Sequence, residues 1–286
     1  MFKSLERKSF GEKVLYIAVS ALFMVVALSY IYILVWCLIS ACKTHTEIVM
    51  DPFSLPKTWY FEHFSEMFQK LQVNGSGFGK MLFNSLWFSL VGTLLTQFCS
   101  VTFAYCVAKY EFPGSKWVYP IFMVVLTLPL FGSSGAQYKL YHNLGLINNY
   151  LQILTAYSAL SVYTMYYMAY FKNFSGVYSE AGRMDGANDF QIYFKIILPQ
   201  AKPMFGAMFL TQWITVWNSY ETALVYIPKL PTLPVGIYQF NQDMIYQMRL
   251  DILFAACLVV VLPALILFVA FNKTITSNVS AGGIKG

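Results

Sequence analysis

Few residues in this chain could do covalent chemistry. His45, His63 and His142 are its only histidines, and Cys37, Cys42, Cys99, Cys106 and Cys257 lack the paired spacing of a metal or redox centre. No pair of carboxylates falls inside an apolar run, so neither acid–base nor metal catalysis is expected. The stretch NGSGFGKM has the outline of a phosphate-binding loop, yet Asn74 stands where the first glycine is required and Met81 follows Lys80 in place of Ser or Thr. What remains is neutral hydrogen-bonding chemistry. Thr211, Thr215, Asn218 and Thr222 recur at helical spacing and form one polar stripe, with Gln212 and Ser219 beside it. Such side chains are costly against lipid, so the stripe must face another helix or a wet cavity. Neutral amides and hydroxyls at Thr211, Gln212, Thr215 and Asn218 suit hydroxyl-rich solutes, and rings such as Trp217 and Tyr220 can cover the apolar faces of such a solute. The alternative is adhesion between helices, where Ser, Thr and Asn are common.

A second polar feature is Glu180–Pro203, EAGRMDGANDFQIYFKIILPQAKP. Its first half, Glu180, Ala181, Gly182, Arg183, Asp185, Gly186 and Ala187, suits a short exposed helix that Gly186 ends. The second half re-enters apolar sequence through Ile196, Ile197 and Leu198 and breaks at Pro199 and Pro203. A rigid projecting element of this kind can carry force from a soluble partner into the membrane through packed contacts. The alternative is an ordinary solvated loop.

The elements that position these residues are membrane helices. At 58% hydrophobic and 11% charged, the chain has less than half the charge of an ordinary soluble domain, about 25%. A bilayer core takes about 20 apolar residues per helix. Six candidate spans follow: Val14–Cys42, Met81–Ala108, Trp117–Tyr138, a stretch after the polar Asn148 and Asn149 that ends at Phe171, Met204–Tyr220 with a continuation towards Tyr226, and Ile252–Asn272. Val14–Cys42 is 29 residues without a charge, too long for a signal core and read as a retained span. With the amino terminus inside, 12 of the 19 Lys and Arg residues fall on the inner side. The positive-inside rule then assigns the cytoplasm residues 1–13, the loop 178–203 and the tail 273–286, with one transmembrane domain over 14–272. The net charge of +6 is accounted for by anchoring at the inner leaflet, with no nucleic acid. Pro129, Gly132 and Pro263 are candidate bends.

The Glu180 segment resembles the EAA loop of ATP-binding-cassette importer permeases, a pattern of Glu-Ala-Ala, three residues, Gly, and Ile-x-Leu-Pro at fixed distance. Glu180, Ala181, Gly186, Ile196, Leu198 and Pro199 match it, and Gly182 stands where the family usually has Ala. The maltose-type branch is resembled further by Asn84 and Ser85 in FNSLWFSL, Ala104 and Tyr105 in FAYCVAKYEFPGSK, Leu144–Asn149 in LGLINN, Trp217 and Asn218 in WNSY, and the terminal AGGIKG.

The resemblance implies an all-α, polytopic MetI-like permease with six transmembrane helices in the cytoplasmic membrane, both termini inside. It implies a second permease subunit, two ATPase subunits that hold the ATP and Mg while this chain binds no cofactor, an extracytoplasmic solute-binding protein and a carbohydrate substrate. An ion-coupled secondary transporter is the competing class; it would need titratable groups at mid-membrane and paired repeats, and neither is visible.

Overall fold

The computed structural model describes residues 10–110, 112–128, 134–156 and 161–282, with 271–282 as backbone. Lys3, Arg7, Lys8, Pro129, Gly132, Lys285 and the end of AGGIKG lie outside the described residues. The described chain is helical: α1 Phe10–Ala41, α2 His45–Met50, α3 Glu62–Lys70, α4 Phe78–Lys109, α5 Ser115–Thr127, α6 Ser134–Asn143, α7 Val162–Lys172, α8 Val177–Met184, α9 Lys202–Asn218, α10 Glu221–Tyr226, α11 Leu233–Tyr246 and α12 Leu250–Gly282.

Three of these are long and apolar enough to cross a bilayer: α1, α4 and the Leu250–Ala270 part of α12. They match the first, second and sixth expected spans. The third and fourth expected spans run through residues 129–133 and 157–160, which lie outside the described residues, so only parts of them are described. α5 has 13 residues and α7 has 11, so at 1.5 Å per residue each covers about 20 Å or less. The fifth breaks in two: the 17-residue α9 stops at Asn218, Ser219 turns extended, and α10 begins at Glu221. Asn and Ser side chains compete for backbone hydrogen bonds, which favours a break there.

Contacts divide the chain into two compact units. The first is Met1–Leu71 with Phe240–Val259. Here α1 leaves nearly all its side chains exposed, burying only Ser40 and Ala41, as suits a helix surrounded by lipid. Beyond it, Lys43 is fully buried and its ammonium donates to the carbonyls of Asp51 (3.0 Å) and Pro52 (3.2 Å) and to Ser54 Oγ (3.3 Å). Arg249 forks onto two carboxylates, Glu66 at 2.8 and 3.0 Å and Asp251 at 2.9 to 3.2 Å. The guanidinium, aided by Lys70, holds the Glu66 carboxyl down at about 2, and the Arg249 pKa is itself raised by the two carboxylates. His63 sits between Ala41 O (2.9 Å) and Asp251 Oδ2 (3.1 Å) and is a buried link in this network.

The second unit is Gln72–Gln239 with Val260–Gly286. Its centre is α4, which runs against α7 and α9 and contains one π-helical turn at Trp87–Val91. Small and polar residues Thr93, Thr96, Gln97, Ser100 and Ala104 are buried along it, allowing close helix approach. Gln97 ties the three helices together. Its amide N donates to Gln212 Oε1 (2.6 Å) and Met208 O (3.2 Å), and its amide O accepts from the Tyr167 hydroxyl (2.5 Å). Towards Lys109, an apolar cluster of Val101, Tyr105, Tyr167, Phe171, Ile192 and Ile197 joins α4 and α7 to the segment that follows α8.

Candidate functional site

The Glu180 segment folds as the sequence pattern demands, and its fixings are visible residue by residue. α8 carries Glu180, Ala181 and Arg183 exposed, while Gly182 is buried. The helix ends in a Schellman cap: Gly186 lies at φ +79°, its N–H donates to Arg183 O (3.0 Å), and Ala187 N–H donates to Gly182 O (2.9 Å). Gly186 is required by this backbone, since a left-handed residue is costly with a Cβ. Asp185 is exposed at the cap. Arg183 reaches Asp189 at 3.2 Å, both solvated, so the pair contributes little to stability. Asn188 then caps the next turn reciprocally with Gln191.

Gly182 explains itself by distance. A Cβ there would sit 2.8 Å from Ile196 Cδ1 and 3.2 Å from Ile192 Cγ1, so α8 lies on the π-helical turn Ile192–Ile197 at a separation that only glycine leaves unstrained. On the other side, Lys109 at the end of α4 donates to Phe174 O (2.6 Å), and Phe174 stacks near Tyr178 of α8, ring centroids 5.7 Å apart. The short helix is thus packed against the turn that follows it and tied to α4 and α7.

The fifth-span residues separate onto two faces. Thr211, Thr215 and Asn218 are exposed in this chain, each bonded back to the carbonyl four residues earlier: Thr211 to Ala207 O (3.1 Å), Thr215 to Thr211 O (3.0 Å), Asn218 to Ile214 O (2.9 Å). Gln212 and Trp217 are buried on the opposite face, Gln212 bonded to Gln97 and Trp217 packed on Trp213 with centroids 5.1 Å apart. Tyr220 stacks on Tyr238 at 4.8 Å. Gln212 therefore acts as a helix tie in this structure, and the outward face carries the Thr211 hydroxyl, the Asn218 amide and the Thr215 hydroxyl, which also meets the Tyr163 hydroxyl. No cluster of metal-ligating side chains occurs among the described residues.

The profile described as "Binding-protein-dependent transport system inner membrane component" matches residues 100–280, which include both α8 and the fifth span. The chain belongs to this family. It is accordingly a non-catalytic permease subunit of an ABC importer, a membrane protein whose ATPase is a separate chain and whose solute arrives on a binding protein. The permease is 29% identical over 275 residues to the arabinooligosaccharides transport system permease protein AraQ of Bacillus subtilis, covering 94% of this chain and 96% of that one. It is 28% identical over 256 residues to the diacetylchitobiose uptake system permease protein NgcG of Streptomyces coelicolor, covering 88% and 83%. It is 24% identical over 247 residues to the trehalose transport system permease protein SugB of Mycobacterium tuberculosis, covering 84% and 88%. Among solved structures, a chain of a bacterial ABC transporter involved in the import of the acidic polysaccharide alginate superposes with a TM-score of 0.75 at 22% identity, over 93% of the permease and 98% of that chain. That likeness shows the fold. The resemblance read from the EAA loop is borne out.

Two features of the site escaped the sequence reading. The exposed surface of the EAA segment includes large apolar side chains, Met184 (89% exposed) and Phe190 (77%), besides the charges that drew attention. Their signal was bulk without periodicity between Arg183 and Gln191. The second is the role of Asn84, Ser85 and Asn148. They hold the connection from α10 to α11: Asn84 Nδ2 donates to Pro231 O (2.9 Å), Ser85 Oγ accepts from Leu233 N (2.7 Å), and Asn148 Oδ1 accepts from Lys229 N (2.8 Å).

Proposed function

We propose that this permease carries a carbohydrate, an oligosaccharide by class, from an external binding protein into the cytoplasm, paired with a second, different permease subunit. Both termini and α8 lie in the cytoplasm. Glu180, Ala181, Gly182, Arg183, Asp185, Gly186 and Ala187 form the element gripped by one of two ATPase subunits, where ATP and Mg are held. ATP-driven closure of the motor moves α8, and α8 moves the membrane helices through Ile192, Ile196 and Lys109. The observation that carries the reading is the construction of α8: a capped helix with its charges outward and its glycine face locked onto the segment leading to α9. The names of the relatives support the carbohydrate class, as does the neutral face of Thr211, Thr215 and Asn218, which offers hydroxyl and amide groups and no charge.

Isolation of the permease in mild detergent with mass spectrometry of what stays bound tests the assembly, and uptake of labelled oligosaccharides by reconstituted vesicles tests the cargo. Recovery of an ATPase and a second permease, with ATP-dependent oligosaccharide uptake, is the expected result. A self-contained oligomer that takes up solute on an ion gradient without ATP overturns it.

A further inference from the structure

We propose that the second unit binds one structural water behind the break in the fifth span, held by the Gln152 amide and the Thr232 hydroxyl. A cavity of about 10 Å³ lies there, with Ser85, Ser89, Gln152, Ser219, Thr222 and Thr232 among its lining residues. Gln152 is fully buried, and neither its amide oxygen nor its amide nitrogen has a protein hydrogen-bond partner; the Thr232 hydroxyl, 5% exposed, has none either. Buried amides and hydroxyls are almost always satisfied, and two orphans facing one small space call for a shared partner.

The size decides what that partner is. A site of roughly 10–15 Å³ by this measure holds one water and no sugar ring. The lining is neutral, with no carboxylate to balance a cation. It can both donate and accept: Gln152 offers an oxygen and two N–H groups, and Ser85 Oγ, which already accepts from Leu233 N at 2.7 Å, keeps its own proton to give. Three elements meet at this water. Ser219 and Thr222 flank the gap between α9 and α10, Ser85 and Ser89 belong to α4, and Gln152 ends the 3-10 turn Tyr150–Gln152. Held by Gln152 and Thr232, the water ties the 3-10 turn to the start of α11, with the broken helix end and α4 closing the space around it.

The test is a map of the complete transporter at a resolution that shows ordered water, with purification in sodium buffer and again in choline buffer. One peak at about 2.7–3.2 Å from both the Gln152 amide and Thr232 Oγ1 is expected in both buffers, and it should vanish in Gln152→Met. A peak present only with sodium identifies a cation site and overturns the proposal. A Gln152 amide bonded directly to protein, with no peak, also overturns it. Melting temperatures supply a second readout: Thr232→Val should lower the midpoint less than half as much in the Gln152→Met background as alone, because the bridge is already gone. Equal losses in the two backgrounds refute the bridge. Should Gln152→Met fail to fold, the Thr232→Val map alone decides, since the peak must then move away from residue 232 or disappear.

Discussion

Gly182→Ala would install the alanine usual in the EAA pattern, and the structure indicates that this chain resists it. Two opposing effects set the outcome. Alanine in place of glycine favours a helix by about 1 kcal/mol. The new methyl would meet Ile196 Cδ1 at 2.8 Å and Ile192 Cγ1 at 3.2 Å, against the roughly 3.5–4.0 Å that carbon contacts prefer. Overpacking of this kind costs about 1–3 kcal/mol, so the net change is about 0–2 kcal/mol destabilising. Ile196 is partly exposed and its δ-methyl can turn away, which places the result in the lower half. Ile196→Val deletes the offending methyl, so the double substitution should cost less than the sum of the two by about 1 kcal/mol. Hydrogen exchange of the amides from Ala181 to Ala187 reads this directly, since about 1 kcal/mol is roughly a fivefold change in the opening equilibrium. Exchange faster in Gly182→Ala than in the parent is expected, and Ile196→Val should raise the opening equilibrium about fivefold less in the Gly182→Ala background than in the parent. Strict additivity, or slower exchange in Gly182→Ala alone, would show that α8 does not rest on Ile196 and would remove the mechanical argument for the coupling segment.

A Cβ at Gly186 would meet no neighbour within 4 Å, but Gly186→Leu must hold φ near +79°, a cost of about 1–2 kcal/mol; the protein should still insert in the membrane while ATPase co-purification falls, and Gly186→Asn should be milder because Asn tolerates that conformation. Gln97→Leu leaves Tyr167 and Gln212 without their shared partner inside the α4–α7–α9 core, a loss of about 1–3 kcal/mol for each orphaned group, to be read as a lower unfolding midpoint in detergent. The Glu66 carboxyl is held at about 2 against an ordinary 4.5, so its contribution to stability is complete above about pH 4.5 and lost as the pH falls towards 2. Glu66→Gln should flatten the acid limb of a thermal-unfolding profile across that window and leave its alkaline side unchanged; an unchanged acid limb would refute the assignment.

Much of this architecture was legible because it follows from simple constraints. Long uncharged runs marked α1, α4 and α12, since lipid admits little else, and Gly186 marked the end of α8, since the left-handed cap needs it. The fifth expected span is interrupted at Ser219, a break that hydropathy does not register. The polar stripe was legible as a stripe but not as two faces. Helical spacing grouped Thr211, Thr215 and Asn218 correctly, whereas Gln212 was bound to a partner 115 residues earlier in the chain, Gln97, which no local pattern reveals. The Arg249–Glu66 pair joins residues 183 apart in the chain and is equally invisible to local pattern.

The π-helical turn at Trp87–Val91 gives α4 an uneven tolerance to changes in length. Winding the helix with one residue fewer at that turn restores regular α geometry, shortens the rod by little, and leaves Asn84 and Ser85 on one side of it and Gln97 on the other aimed as before. One residue removed between Gln97 and Ala104 has no such reserve. It would rotate everything beyond it by about 100°, turning Tyr105 out of its cluster and Lys109 away from Phe174. Single-residue deletions along α4 are therefore expected to be accommodated at one place and ruinous elsewhere.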